Sequence, residues 1–396
     1  MATILHVSCD FPDALVPAKT PAIKRLVDGA SEHRHVVYSL NRVNGLRGEE
    51  LLHYEPDRFA VAYRALPKGL LLKTRMEAVA RFLLTDIKSR RLAIDLVHAH
   101  KLTIDGLAGS YLANALGVPI VFSIQGDSDL KVIHARPDLA NRFAAHVDAA
   151  QALFSFAPWT EAAIAGRFPA ALAKMKLLPV APAHDVLAPA PVLSAPHLVS
   201  VFHIASWERK NLTGMAVALN RLAPIYPGIR LDVIGGGTPT QFLRAREAVR
   251  RAGAEALVTF LGPRPNDQLP ELLKNYAAFI LPTRRESYGL AHVEALFAGL
   301  PILLSRKMGI DGLLPQAGFA FASDPSSSDS IAEGIKYLLE NESEAKAKLA
   351  SAQRHGDLDH LRKRAIISVY REALAELLSN RVSPKPAAAQ KLLSQA

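Results

Sequence analysis

Two glutamates eight positions apart, Glu286 and Glu294, bracket Gly289 in the run Pro282-Thr283-Arg284-Arg285-Glu286-Ser287-Tyr288-Gly289-Leu290-Ala291-His292-Val293-Glu294-Ala295-Leu296. A carboxylate can accept hydrogen bonds from both hydroxyls of a ribose. Glycine lets backbone come close to a ligand, and the free N–H groups of a first helical turn favour a diphosphate. Glu294 at ribose depth, phosphates at Gly289 and Leu290, and a sugar at Glu286 would each need a different distance from a helix start. The plain alternative is a pair of solvated acids at a helix end.

The flanks supply the elements that would position these groups. Ala277–Leu281 is an apolar run of strand length, and Leu290–Phe297 carries apolar residues at helical spacing before Gly299 stops it. The same alternation fills the second half: strands at Leu198–Ile204, Arg230–Ile234, Leu257–Leu261, Ala278–Leu281 and Ile302–Leu304, and helices at Leu212–Ala223, Gln241–Ala252, Leu269–Tyr276 and Ile331–Leu339. In a doubly wound sheet the loops 206–211, 235–238, 262–266 and 284–289 gather at the carboxyl ends of the strands. The first half repeats the rhythm with strands Ile4–Ser8, His35–Leu40, Leu96–His100, Ile120–Ile124 and Ala152–Ala157, and with helices including Arg75–Lys88 and Thr103–Leu116.

Five prolines between 179 and 196 read as a linker. The expected organisation is a Rossmann-like domain over 1–185, a linker over 186–197 and a second Rossmann-like domain over 198–356. A helical segment over 357–382 then crosses back to the first domain, and a mobile tail covers 383–396. The fold class is α/β, with two doubly wound domains facing across a cleft.

At 396 residues with 49% hydrophobic and 21% charged content, the chain has the make-up of a soluble two-domain protein and not of a disordered one. Cys9 is the lone cysteine, so an intrachain disulfide is excluded. No basic leader and no apolar run of about 20 residues is present, which places the protein in the cytoplasm.

The net charge of +10 is spread over both halves, apart from residues 58–91, where nine Lys and Arg face two acids. Leu70, Leu71, Leu72, Met76, Val79, Phe82 and Leu83 interleave with them. Part of the stretch reads either as an amphipathic basic helix resting on anionic lipid at the inner face of a membrane, or as a solvated helix packing its apolar side on its own domain. The spread of the charge over both halves weighs against a nucleic-acid role.

The second half resembles the nucleotide-sugar-binding domain of family 4 glycosyltransferases, retaining enzymes of the GT-B fold. The resemblance runs through Arg209-Lys210-Asn211, Val233-Ile234-Gly235-Gly236-Gly237, Phe260-Leu261-Gly262-Pro263, Leu269-Pro270-Glu271-Leu272, the Pro282–Glu294 run and Ala298-Gly299-Leu300-Pro301. It implies that Glu286 contacts the transferred sugar, that Glu294 holds the ribose, and that Lys210, helped by Arg209, neutralises the diphosphate leaving group. Ser287, Tyr288, Gly289, Leu290, Gly236 and Arg264 complete the implied donor site. In the first half Val97-His98-Ala99-His100 resembles a stretch of the family's acceptor domain, making His100, Gln125, Asp127 and Lys19 the acceptor-side candidates. A hydrogen-bonded structural role is the alternative for each histidine.

Three departures from the family stand out. Ala205 and Ser206 lie where an arginine is usual, Gln125 lies where a histidine is usual, and Asp10-Phe11-Pro12-Asp13 with Pro17-Ala18-Lys19-Thr20 replaces a glycine-rich loop.

The resemblance implies transfer of a sugar from a nucleoside-diphosphate donor of UDP or GDP type to an acceptor hydroxyl with retention. A glycan or lipid-linked glycan of bacterial-type polysaccharide or glycolipid synthesis is the implied acceptor. No cofactor and no metal is implied, since neither an Asp-x-Asp at a strand end nor a cluster of ligands at metal spacing is visible. The rivals are a GT-B protein of another class, such as a nucleotide-sugar epimerase or a phosphorylase, and a nucleotide-sugar-binding protein without catalysis.

Overall fold

The protein is described by a computed structural model over residues 1–44, 48–187, 189–193 and 195–379, apart from the side chain of Lys68. The tail read at 383–396 lies outside the described residues.

The first sheet has the strands β1 (Thr3–Ser8), β2 (Arg34–Val43), β3 (Glu49–Glu55), β4 (Arg58–Arg64), β5 (Leu96–Ala99), β6 (Ile120–Ile124), β7 (Ala150–Ser155) and β8 (Met175–Leu177). Their order is β3-β4-β2-β1-β5-β6-β7-β8, with β3 antiparallel to β4 and every other pairing parallel. The second sheet is wholly parallel: β9 (His197–Val201), β10 (Arg230–Ile234), β11 (Val258–Gly262), β12 (Ala278–Ile280), β13 (Ile302–Ser305) and β14 (Ala320–Ser323), in the order β11-β10-β9-β12-β13-β14. Strand order reverses between β1 and β5 and between β9 and β12. Those reversals open the crevices in which doubly wound sheets bind ligands.

Burial on both faces explains the composition of the central strands. All five residues of β6, Ile120-Val121-Phe122-Ser123-Ile124, are buried, and so is each residue of β13. The edge strand β3, Glu49-Glu50-Leu51-Leu52-His53-Tyr54-Glu55, instead has no fully buried residue, with Glu49, Leu51 and Tyr54 half-buried.

The hairpin of β3 and β4 takes up the start of residues 58–91, and the second of the two readings of that stretch holds. Its first part is a buried strand, Phe59-Ala60-Val61-Ala62-Tyr63, a 3-10 turn follows at Pro67–Gly69, and the α-helix covers Leu72–Ser89. A window counted for charge had run a period-two strand into a period-3.6 helix. Leu72, Met76, Val79, Leu83 and Ile87 enter the core of their own domain, so lipid is not what covers that face. Much of the positive charge is also paired: Arg75 with Glu49 at 2.6 Å, Arg64 with Glu50 at 3.3 Å and Arg90 with Asp86 at 2.9 Å.

The terminal helix Lys363–Ser379 lies on the first sheet, where Ile366, Tyr370 and Leu374 pack with Ile4, Leu96, Val121 and Phe154. Beneath it the sheet carries four histidines on one face. His6 pairs in register with His98, and His35 and His100 stand two residues along neighbouring strands, which puts their side chains on the same side.

The connection between the two sheets is pinned on both sides. Arg25 donates to the Ala181 carbonyl at 2.6 Å. On the other side, Glu342 accepts the Leu193 N–H at 2.9 Å, and buried Lys346 reaches the Pro191 carbonyl at 2.6 Å. Among the described residues no helix is long and apolar enough to cross a membrane.

Candidate functional site

The crevice between β9 and β12 is walled by the loops that follow them. After β9 the chain turns through Arg209-Lys210-Asn211, and Asn211 adopts a left-handed conformation, φ 60°. Its buried amide is fully used: Nδ2 donates to the carbonyls of Pro282 (3.0 Å) and Pro325 (2.8 Å), and Oδ1 accepts from Arg284 Nε at 3.1 Å. The backbone N–H of Arg284 donates to the Arg209 carbonyl at 2.9 Å. Asn211 therefore fixes the loop after β9 to the loop after β12, a role the sequence reading had not given it.

This fixing brings Lys210 onto Glu286, Nζ to Oε2 at 2.6 Å, with 14% and 12% of the side chains exposed. Burial alone would raise the Glu286 carboxyl. The Lys210 charge and hydrogen bond, helped by His292 and Arg209, outweigh it and hold the group below the usual carboxylate range. Arg209 lies alongside, 3.4 Å from both the Arg285 carbonyl and Ser206 Oγ.

Gly289 opens the helix Leu290–Phe297 at φ 91°. A side chain there would be strained, and its Cβ would stand 2.8 Å from His292 Nδ1, so the position suits glycine alone. His292 is buried, its Nε2 bonded to the Leu281 carbonyl at 3.1 Å, and burial pushes its imidazole down to about 4. One turn on, Glu294 accepts the Ala183 N–H at 3.0 Å, and burial raises its carboxyl against the pull of Arg25.

Of the other donor-side candidates, Ser287 and Leu290 are half-buried beside Glu286, Tyr288 is buried, and Gly236 gives its carbonyl to the Ile204 N–H at 2.8 Å. Arg264 is exposed beyond β11, its Nη1 on the Pro263 carbonyl at 3.1 Å.

The acceptor-side candidates divide. Asp127 faces the second domain, 3.9 Å from Arg285. Gln125 turns its amide to the His100 carbonyl at 2.9 Å. Lys19 is a structural clamp: its ammonium is used by Asp13 at 2.9 Å, Ser39 at 2.8 Å and the Leu40 carbonyl at 3.3 Å, which leaves no donor for a ligand.

His100 is fully buried, so it does not line the cleft as a surface group. It ends a chain whose direction is set at the far end. His35 Nε2 must donate to the Ala30 carbonyl (2.6 Å), so its Nδ1 accepts from His6 Nε2 (2.8 Å), and His6 Nδ1 then accepts from His100 Nε2 (3.0 Å). His98 is held apart by Tyr370 Oη and Ser123 Oγ, each at 2.8 Å. One nitrogen each from His6, His98 and His100 lies within 4.8 Å of the others, a cluster that positions 6, 98 and 100 hid from the sequence reading. Every ring nitrogen of the three except His100 Nδ1 is already hydrogen-bonded within the protein.

Trp159 was not foreseen either. It sits in the helix Pro158–Ala165 of the first domain, and its Nε1 donates to the Ser287 carbonyl at 3.0 Å, inside the Glu286–Gly289 loop. Its ring also closes over Gly126, where a Cβ would stand 2.8 Å from it. One side chain thus meets a loop of each domain. The run Pro158-Trp159-Thr160 directly after a strand was the available signal.

Residues 198–355 match the family model described as Glycosyl transferases group 1. O-antigen chain mannosyltransferase B of Escherichia coli is 28% identical over 136 residues, 34% of this chain and 35% of that protein, so the chain spans about a third of that relative's length. Over nearly the whole chain the structure resembles sucrose-phosphate synthase from Thermosynechococcus elongatus, with a TM-score of 0.75 at 16% identity, covering 96% of this chain and 99% of that one. It also resembles Anabaena HepE in complex with UDP and glucose, with a TM-score of 0.67 at 15% identity, covering 95% and 99%. The architecture is that of the GT-B fold, two Rossmann-like domains about a cleft.

Proposed function

We propose that the protein is a family 4-type retaining glycosyltransferase, moving a hexose from a nucleoside-diphosphate sugar of UDP or GDP type to an acceptor hydroxyl. The observation that carries this reading is the meeting of Lys210 with Glu286 at 2.6 Å beside the positive-φ Gly289, at the point where strand order reverses. A cation, a carboxylate and a helix N-terminus side by side suit a diphosphate and its sugar. The match of residues 198–355 and the UDP and glucose named with HepE support the donor class.

In this reading the ion pair is the resting state. A donor diphosphate draws the Lys210 ammonium away, Arg209 adds a second cation, and the N–H groups at Gly289 and Leu290 cover the phosphates. Glu286 is then free to accept from a hydroxyl of the transferred sugar, and Glu294 from the ribose. The C1–O bond to the diphosphate breaks as the acceptor oxygen bonds to C1 from the same face, and the departing phosphate takes the acceptor's proton. The protein's part is positioning and charge stabilisation, and no metal or cofactor is called for.

The acceptor is read as a glycan or lipid-linked glycan in a bacterial-type polysaccharide or glycolipid route, handled in the cytoplasm. Contact with an anionic membrane would fall to exposed Leu70 and Leu71 ahead of the helix Leu72–Ser89 and to the basic side chains around them.

Incubation with UDP-, GDP- and ADP-sugars, with release of free nucleoside diphosphate followed by chromatography, tests the function. One donor class should be turned over by the wild type and not by Glu286→Ala. Equal release by both proteins, or none from any donor, would remove the transferase assignment.

A further inference from the structure

A second cavity opens beside the Glu286 loop, and the reading above makes no use of it. It measures ≈ 800 Å³ and is lined by Arg284, Arg306, Lys307, Met308, Asp324 and Ser326, at the carboxyl ends of β12, β13 and β14. The loops after β10 and β11, which carry Gly236 and Arg264, lie across the point of strand reversal from it.

Three cations face one acid here, Asp324, which also feels the charge of Arg306. Asp324 Oδ1 accepts both the backbone N–H of Ser326 (2.8 Å) and its hydroxyl (2.6 Å). Arg284 commits only Nε, to Asn211, and Arg306 only Nη2, to the Ala322 carbonyl at 3.2 Å. Lys307 Nζ makes no hydrogen bond or ion pair with any described residue. Its backbone is also strained: φ is 59°, a left-handed conformation that costs a lysine roughly 1 kcal/mol or more. Cations with unused donors at the mouth of a cavity suit the reception of an anion.

The same walls reach the proposed catalytic pair. Two residues beyond Lys307, Gly309 packs so closely behind the Glu286 loop that an added Cβ would stand 2.9 Å from the Tyr288 carbonyl oxygen and 3.2 Å from Glu286 Cγ. Arg284 is held through its backbone by Arg209 and through its side chain by Asn211.

We propose that this cavity binds a phosphoryl group through Arg284, Arg306 and Lys307, and that its occupancy sets the position of the Glu286 loop. The binding is independent of the transferase reading, whereas its effect on turnover rests on it. The phosphoryl group has two possible sources, a free phosphate acting as effector or a phosphate carried by the acceptor.

The test is a calorimetric titration of the full chain with inorganic phosphate at fixed ionic strength. Wild type and Lys210→Ala should both bind it, and Arg306→Ala/Lys307→Ala should lose more than about tenfold in affinity. Lys307→Gly guards against misfolding: it relieves the left-handed strain, so it should melt no lower than wild type and still bind phosphate more weakly. Wild-type affinity in the double variant, or loss in Lys210→Ala alone, overturns the site.

The two sources separate by kinetics. An effector changes the rate of donor cleavage by water when phosphate is added. An acceptor phosphate makes glucose 6-phosphate, and not glucose, yield a glycosylated product that Arg306→Ala/Lys307→Ala no longer forms. Neither response from a wild type that turns over donor overturns the coupling. Absence of donor turnover overturns the transferase reading and leaves the phosphate titration standing.

Discussion

Lys210→Ala is expected to lower donor turnover about 10²–10³-fold, the loss typical when one group stabilising developing negative charge is removed. It should also destabilise the fold, because Glu286 is left as a buried carboxylate whose burial already pushes it upward and whose main compensation was Lys210. Removing one partner of such a pair costs about 3 kcal/mol. The double variant Lys210→Ala/Glu286→Gln replaces the stranded charge with a neutral amide, so it should regain most of the lost melting temperature and remain inactive. Recovery of turnover together with stability would show the pair to be a structural brace and not part of the chemistry. Turnover near wild type in Lys210→Ala would remove it from the mechanism altogether.

The protein is also expected to lose stability steeply between pH 7 and pH 5, well above the range where most carboxylates titrate. Burial holds His6 and His98 well below the usual imidazole value, His100 at about 3, and His146 and His292 at about 4. Below about pH 6.5 the unfolded chain takes protons that the folded one refuses, so stability falls as pH falls, by about 1.4 kcal/mol per unit for each group. At pH 5 that is about 2 kcal/mol per histidine, with His35 acting in the same direction.

Buried carboxyls oppose it. Asp105, raised to about 7 by burial against the pull of Lys101, is protonated in the folded state first and returns about 3 kcal/mol over the same interval, and Asp129 and Glu294 add to that return. The net loss is on the order of 5 kcal/mol, comparable with the whole stability of many domains. Calorimetry at pH 7, 6 and 5 should therefore show a melting temperature falling by about 5–10 degrees. A melting temperature that is flat or rising over that interval would contradict the buried, neutral histidine face beneath the helix Lys363–Ser379.

The second half was legible because its signals are local. Apolar strand, glycine turn and amphipathic helix lie within Ala278–Phe297, and the observed helix Leu290–Phe297 coincides with the one read from its spacing. Lys210 and Glu286 could be singled out by motif, but their contact could not be derived, since it depends on Asn211 joining two loops more than 70 positions apart.

The first half was less legible for the same reason. The stack of His6, His35, His98 and His100 is a matter of strand register, and a histidine at a strand end reads alike whether it faces a cleft or a helix from the far end of the chain. Lys19 looked available because the groups that consume it, Asp13, Ser39 and the Leu40 carbonyl, sit on a loop and a neighbouring strand. β3 and β4 were not legible because β3 has no clean period-two alternation, and the Arg58 and Arg64 that end the apolar run of β4 were counted with the basic helix after it.

The central claim is that the crevice at the end of β9 and β12 holds a nucleoside diphosphate, with Glu294 at its ribose. Equilibrium titration of the wild type and of Glu294→Ala with UDP, GDP and ADP tests it directly. One nucleotide should bind the wild type, and Glu294→Ala should bind that nucleotide at least about tenfold more weakly, the cost of a charge-assisted pair of hydroxyl contacts. Binding of none of the three, or equal binding by both proteins, would contradict it.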